Sequence, residues 1–266
     1  MFKVYTLENQ NFYLNDSLVS GLQSLSISNN NNINGSFLIN DNIKNYYVSG
    51  PITSNIELEY ILSSSDRFIM YTGDNYFSGR VEYGDNFFSF SSGFLTNYSI
   101  NYKLNEYPRA SVSLVIFGEL SNNSGIKNNQ IKNINQFTVS DNCYLDIDLE
   151  EADENRLESF NININVPRQP NYTVNSYLPE YVLIKYPITI DTNFGFSISE
   201  YIPEKVTKIF NNLPKKDLNI SFREYDKNNS LLAFNIKDLI NAESQMNYSL
   251  SDDAKLNLKY TTYIVQ

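Results

Sequence analysis

Histidine is absent from this 266-residue chain, and cysteine occurs once, at Cys143. Those two counts remove most nucleophilic and metal chemistry. Without histidine there is no Ser-His-Asp or Cys-His relay, and the commonest zinc ligand is missing. A single cysteine makes no intrachain disulfide, and a buried thiol is the simplest reading of Cys143. Carboxylates and phenols remain. Asp146, Asp148, Glu150, Glu151, Asp153 and Glu154 form an acidic run without a base. Such oxygen ligands suit a hard cation like Ca²⁺. The run lacks the glycine and spacing of an EF-hand loop, so it reads as a solvated linker. Glu57 and Glu59 lie two residues apart and would share one face of a strand, whereas a glycosidase needs carboxylates facing each other across a substrate. Tyr5, Tyr13, Tyr46 and Tyr47 could form an aromatic platform for a sugar, but core or interface packing is the stronger reading. No phosphate-binding loop or Rossmann fingerprint is present, and Gly73 to Gly79 is a turn-rich stretch. The sequence therefore nominates no catalytic, cofactor or metal residue, and the chain reads as a non-enzyme without cofactors.

The scaffold that would carry any function is β-rich. Apolar residues alternate with polar ones at Leu25 and Ile27; at Ile56, Leu58, Tyr60 and Leu62; at Ala110, Val112, Leu114 and Ile116; and at Phe160, Ile162, Ile164 and Val166. Leu218, Ile220, Phe222 and Leu256, Leu258, Tyr260 continue the pattern. A period of two places each set on one face of a strand, as in half-buried antiparallel sheets. One amphipathic helix is expected over 203–213, with Val206, Ile209, Phe210 and Leu213 on one face, Pro203 in its first turn and Pro214 at its end. Ser65 to Tyr71 is expected as a short counterpart, capped by Ser65 or Asp66.

Charge and hydropathy bound the partners. With 20 Lys+Arg against 30 Asp+Glu the net charge is −10, which disfavours binding to a phosphate backbone. No run approaches the roughly 18 apolar residues of a membrane span. The first 15 residues lack the apolar core of a signal peptide, so work outside the cell would need another exit, such as lysis. The N-x-[ST] triplets at Asn15, Asn97, Asn171, Asn219 and Asn247 are what an Asn- and Ser-rich chain produces by chance.

The chain also resembles itself. Ile100 to Leu114 aligns with Met246 to Tyr260: Asn101, Tyr102 and Leu104 match Asn247, Tyr248 and Leu250 at a spacing of 146 (248 − 102). Pro51-Ile52-Thr53 matches Pro187-Ile188-Thr189 at 136 (187 − 51), and Leu25 and Ile27 match Ile162 and Ile164 at 137 (162 − 25). The matches keep their order and pleat phase, the expected mark of an internal repeat. The increase in spacing falls where the second half carries its expected helix.

The second half has a further resemblance. A helix (Val206 to Asn212) is followed by a strand (Leu218 to Asp226), a turn at Lys227 to Ser230, a strand (Leu231 to Ile236), a connection through Leu239 to Ala242, then Met246 to Leu250 and Leu256 to Ile264. This order is similar to the tail-tube proteins of contractile-tailed bacteriophages and related injection machines, best over 203–264. The usual tail-tube pattern has an aromatic-proline pair where Leu239-Ile240 stands. In the first half, Gly21 to Ser28, Gly93 to Asn101 and Pro108 to Leu114 resemble tail structural proteins. The resemblance implies a mainly β fold of two tandem tail-tube-like β-sandwich or barrel domains, each with one short helix: residues 1–120, an acidic linker over 121–157, and residues 158–266. It further implies a virion protein made in the host cytoplasm that self-assembles into rings. A trimer would make a pseudo-hexamer and a hexamer is the variant. The partners would be neighbouring tail rings, sheath or baseplate proteins, with DNA passing through unbound. A baseplate hub or distal-tail adaptor would use the same fold. A carbohydrate-binding surface module is the reading from another class.

Overall fold

A computed structural model of the protein describes residues 10–30, 33–37, 44–48, 51–62, 66–83, 86–104, 106–118, 120–123, 143–147, 156–174, 176–198, 216–224, 230–247 and 254–265. The fold is mainly β and its large sheet is antiparallel, as the alternation dictates. In the first half the strands are β1 (Gln10–Leu14), β2 (Ser17–Leu18), β3 (Leu22–Asn30), β4 (Ile33–Phe37), β5 (Lys44–Val48), β6 (Thr53–Ile61), β7 (Phe77–Tyr83), β8 (Asn86–Lys103), β9 (Arg109–Phe117) and β10 (Ser121–Asn123). The second half contributes β11 (Cys143–Ile147), β12 (Arg156–Asn165), β13 (Arg168–Asn171), β14 (Tyr181–Ile184), β15 (Ile188–Ile198), β16 (Lys216–Glu224), β17 (Ser230–Asn247) and β18 (Ala254–Ile264). Fourteen of these strands form one sheet; β4–β5 and β13–β14 are separate hairpins.

The two halves repeat one pairing scheme. The first runs β3-β6-β9-β8-β7-β1, and the second runs β12-β15-β18-β17-β16-β11. Each has one strand of 18 residues, β8 or β17, whose early part pairs on one side with β7 or β16 and whose late part pairs on the other with β9 or β18. A strand this long can serve both limbs of the fold, which is how a sandwich corner is made.

The agreement extends to register. Ile100 lies opposite Ala110 and Met246 opposite Leu256, a spacing of 146 (246 − 100) on both strands. The register breaks between Leu95 and Asn97 in β8 and between Asn241 and Glu243 in β17, so a bulge falls at Thr96 and again 146 residues later at Ala242. A second bulge spans Phe77/Gly79 against Gly93/Phe90 and recurs at Lys216/Leu218 against Leu239/Ile236. A third lies between Leu22 and Ser24, and again between Leu157 and Ser159. Bulges bend a strand at a fixed point, so bulges at matching positions bend the two halves at matching places.

The register also corrects one alignment. Leu25 opposite Leu58 corresponds to Phe160 opposite Phe194, and Ile27 opposite Ile56 to Ile162 opposite Thr192. The spacing for β3 is 135 (160 − 25), not 137. The two-residue slip preserves pleat phase, which is why alternation alone could not detect it. The stretch expected as an acidic linker contributes β11, which pairs with β16 as β1 pairs with β7. Asp146 is part of that strand; Asp148, Glu150, Glu151, Asp153 and Glu154 lie outside the described residues.

The core is aromatic. Phe68 sits in a four-residue 3₁₀ turn, Phe68–Tyr71, where a short helix was expected. Its ring centroid is 6.2 Å from Phe12 of β1, 6.2 Å from Phe77 of β7 and 5.9 Å from Tyr60 of β6, so one ring ties both limbs together. Phe90 rests on two glycines: a Cβ at Gly79 would come within 2.2 Å of its ring, and one at Gly93 within 2.6 Å. The 203–213 helix expectation and Ser65 lie outside the described residues.

Asp66 anchors the turn from beneath. Its carboxylate accepts Tyr60 Oη at 2.5 Å, Tyr98 Oη at 2.8 Å and the Phe68 N–H at 2.9 Å. Burial pushes the carboxyl above its ordinary value, although all three donors pull the other way. Burial, and then the Asp66 charge, raise both phenols well above theirs. Replacing Asp66 by alanine strands three buried donors, and Asp66→Ala should lower unfolding free energy by about 3 kcal/mol in urea titration. Because the folded value is raised, the Asp66 contribution is fully present below the ordinary carboxylate pKa and is lost as pH rises through the folded value. The stability of the wild type relative to Asp66→Asn should therefore grow as pH falls from neutrality towards about 4.

Candidate functional site

The carboxylates and phenols that chemistry would need are dispersed. Glu57 and Glu59 share the outer face of β6, where Glu57 accepts Ser26 Oγ at 3.4 Å and Glu59 pairs with Arg109 at 3.2 Å. Each is engaged by a cross-strand neighbour and neither points into a cleft. Tyr13 is spread under the Arg80 guanidinium at 4.4 Å and donates to Glu82 at 3.2 Å, which is a packing role. Tyr5 lies outside the described residues, and Tyr46 and Tyr47 fall on β5. Asn15 makes the β1–β2 turn at positive φ, and its side chain holds Ser78 and Tyr71. Among the described residues no three His, Cys, Asp or Glu side chains gather around a common point. A hollow of about 730 Å³ between Phe90, Ile116, Phe117 and Leu178 has no charged residue in its lining. No helix among the described residues is long and apolar enough to cross a membrane.

The feature that stands out is the junction between the halves. β12 pairs with the late part of β8, from Ser159 opposite Lys103 to Asn165 opposite Asn97. Two backbone bonds extend it, Leu104 N–H to Glu158 O and Val166 N–H to Thr96 O, each 2.8 Å. On the core side Tyr98, Ile100, Tyr102, Phe160, Ile162 and Ile164 are all buried. On the other side runs an asparagine ladder. Asn161 Nδ2 donates to Asn101 Oδ1 at 2.6 Å, Asn193 Nδ2 to Asn161 Oδ1 at 3.3 Å, and Asn97 Nδ2 to Asn163 Oδ1 at 2.9 Å. A polar trough of about 410 Å³ follows this face across to Glu243 and Lys259. The ladder was hidden in the sequence because the asparagines alternating with Phe160, Ile162 and Ile164 read only as a solvent face.

Arg168 clamps the junction. From β13 it reaches back into the first half, donating to the carbonyls of Leu95 at 2.9 Å, Tyr71 at 2.9 Å and Gly73 at 2.8 Å, with its guanidinium 5.7 Å from the Phe94 ring. Burial lowers its pKa, and the nearby Asp74 charge acts in the opposite sense. An arginine is the only side chain that can serve three carbonyls from one planar fork while reaching across β8.

The same edges recur unfilled. Among the described residues β3, the counterpart of β12, pairs only with β6, and residues 241–247 of β17, the counterpart of the late part of β8, pair only with β18. Exposure follows pairing: Ile162 is 0% exposed and its counterpart Ile27 is 38% exposed.

Arg168→Met removes three charge-assisted bonds and should cost about 3 kcal/mol, with hydrogen exchange rising first along 97–103 and 159–165. Uniform loss of protection throughout the chain would contradict the clamp. No protein-family model matches the chain, and no curated protein is similar to it.

Proposed function

We propose that the protein is a structural component of a bacteriophage tail, built from two diverged copies of one β module and assembling into the stacked rings of a tail tube. The observation that carries this reading is the repeated register: the five strand pairs β3–β6, β6–β9, β8–β9, β7–β8 and β1–β7 have counterparts in the second half, and three bulges fall at corresponding positions. A chain whose halves present equivalent sides can tile around an axis with two modules per copy, and a head-to-tail contact that closes makes a ring. The sequence pattern over 203–264, similar to tail-tube proteins, supports the same conclusion, although β17 runs unbroken through the connection expected at 239–242. A net charge of −10 suits a wall past which DNA must move without sticking.

Backbone pairing would supply most of the contact and needs few particular side chains. Such a module can drift far in sequence while keeping its joints. On this reading the chain is not an enzyme.

Solution mass measurement and negative-stain microscopy test the proposal. Trimers seen end-on as annuli with six lobes are expected, stacking into tubes at high concentration. Single rings that never stack would place the chain in a baseplate hub or distal-tail adaptor instead. A strict monomer at high concentration would overturn assembly, and affinity for a sugar array would then favour a carbohydrate-binding module.

A further inference from the structure

The internal junction is a template for a joint that stays open among the described residues. Moving β12 back by 135 residues gives β3, and moving the late part of β8 forward by 146 gives the end of β17. Each pair in the β8–β12 junction then defines a pair between β17 and β3 that is not made among the described residues of the chain. Ile162 opposite Ile100 becomes Ile27 opposite Met246, and Asn161 opposite Asn101 becomes Ser26 opposite Asn247. Asn163 opposite Ser99 becomes Ser28 opposite Gln245, and Ile164 opposite Tyr98 becomes Asn29 opposite Ser244.

We infer that β3 of one copy adds antiparallel to residues 241–247 of β17 in a second copy, in this register. The inference rests on the assembly reading above and names the surface through which it would act.

Four observations converge on these edges. The first is exposure: Ile27 is 38% exposed, and Leu25 and Met246 are only partly buried at the margin of the core, where their counterparts Ile162, Phe160 and Ile100 are 0%, 2% and 0% exposed. A neighbouring strand would cover the three together. The second is face: in the derived register Ile27 and Met246 fall on the core side and Ser26 and Asn247 on the ladder side, so apolar meets apolar and polar meets polar. The third is charge. Leu22 to Asn30 carries no charged residue, and 241–247 carries only Glu243, so no like charges oppose each other. The fourth is protection. An exposed edge strand is ordinarily blunted by lysine, proline or shortness. β3 is nine residues long with neither. The opposite margin ends in the two-residue β2, which is blunted by its length.

Cysteine cross-linking of the full chain tests the joint. In a Cys143→Ser background, Ile27→Cys combined with Met246→Cys should give disulfide-linked oligomers under mild oxidation. Ser26→Cys with Met246→Cys, one residue out of phase and on opposite faces, should not. Ile27→Lys should abolish oligomers in solution while leaving the circular dichroism spectrum and melting temperature near those of the wild type, since the side chain is exposed. Rings that form without the Ile27–Met246 cross-link, or that survive Ile27→Lys, would overturn this joint and leave the ring proposal standing. A strict monomer without cross-links would overturn both. The cross-link appearing in open filaments would support the joint and count against closure.

Discussion

Everything in this fold depends on one requirement: the main-chain polar groups of a long strand must be paired along their whole length. β8 meets most of it with four neighbours. β7 and β10 serve its early part, β9 and β12 its late part. An unpaired amide in such a core costs as much as a lost hydrogen bond. At 97–103 that pairing is supplied on both sides, by β9 and by β12. The second half thus supplies one of the strands that pair the first. β17 has the same length and bulge but only two of those neighbours, β16 and β18, among the described residues.

The sequence announced strands far better than it announced their neighbours. Period-two alternation located β6, β9, β12, β16 and β18 because each has a buried face of Ile, Leu, Val or aromatic residues. It could not show that Phe160, and not Ile162, corresponds to Leu25, since a two-residue shift leaves every side chain on its own face. It gave no hint of β11, whose Cys-Tyr-Leu-Asp-Ile lies beside an acidic run that dominates any composition window. Asp66 was legible as a cap but not as the acceptor of two tyrosines, because Tyr60 and Tyr98 reach it only through tertiary folding.

The candidate site shows the same limit from the other side. The carboxylates and phenols singled out in the sequence are dispersed among the described residues. The junction is made from residues with no chemical signature: asparagines, serines and the main chain. Interfaces of that kind are specified by register and exposure, which are properties of pairs of strands. Arg168 is the exception, a single charged side chain with a distinctive task. Yet nothing adjacent to it in sequence marks it, since its three carbonyl partners lie at 71, 73 and 95.

Arg168 also separates the two kinds of joint. The hairpins correspond as the strands do, Arg168 opposite Ile184 matching Ile33 opposite Val48. Ile33 thus occupies the position of the clamp, and an isoleucine has no donors for backbone carbonyls. A contact between copies made through the same edges would lack the three bonds that Arg168 makes. Under dilution or shear it would be the weak link, parting while the two halves of each chain stayed fastened. An assembly on this plan comes apart into whole chains and can be rebuilt from them, because its seams are softer than its bricks.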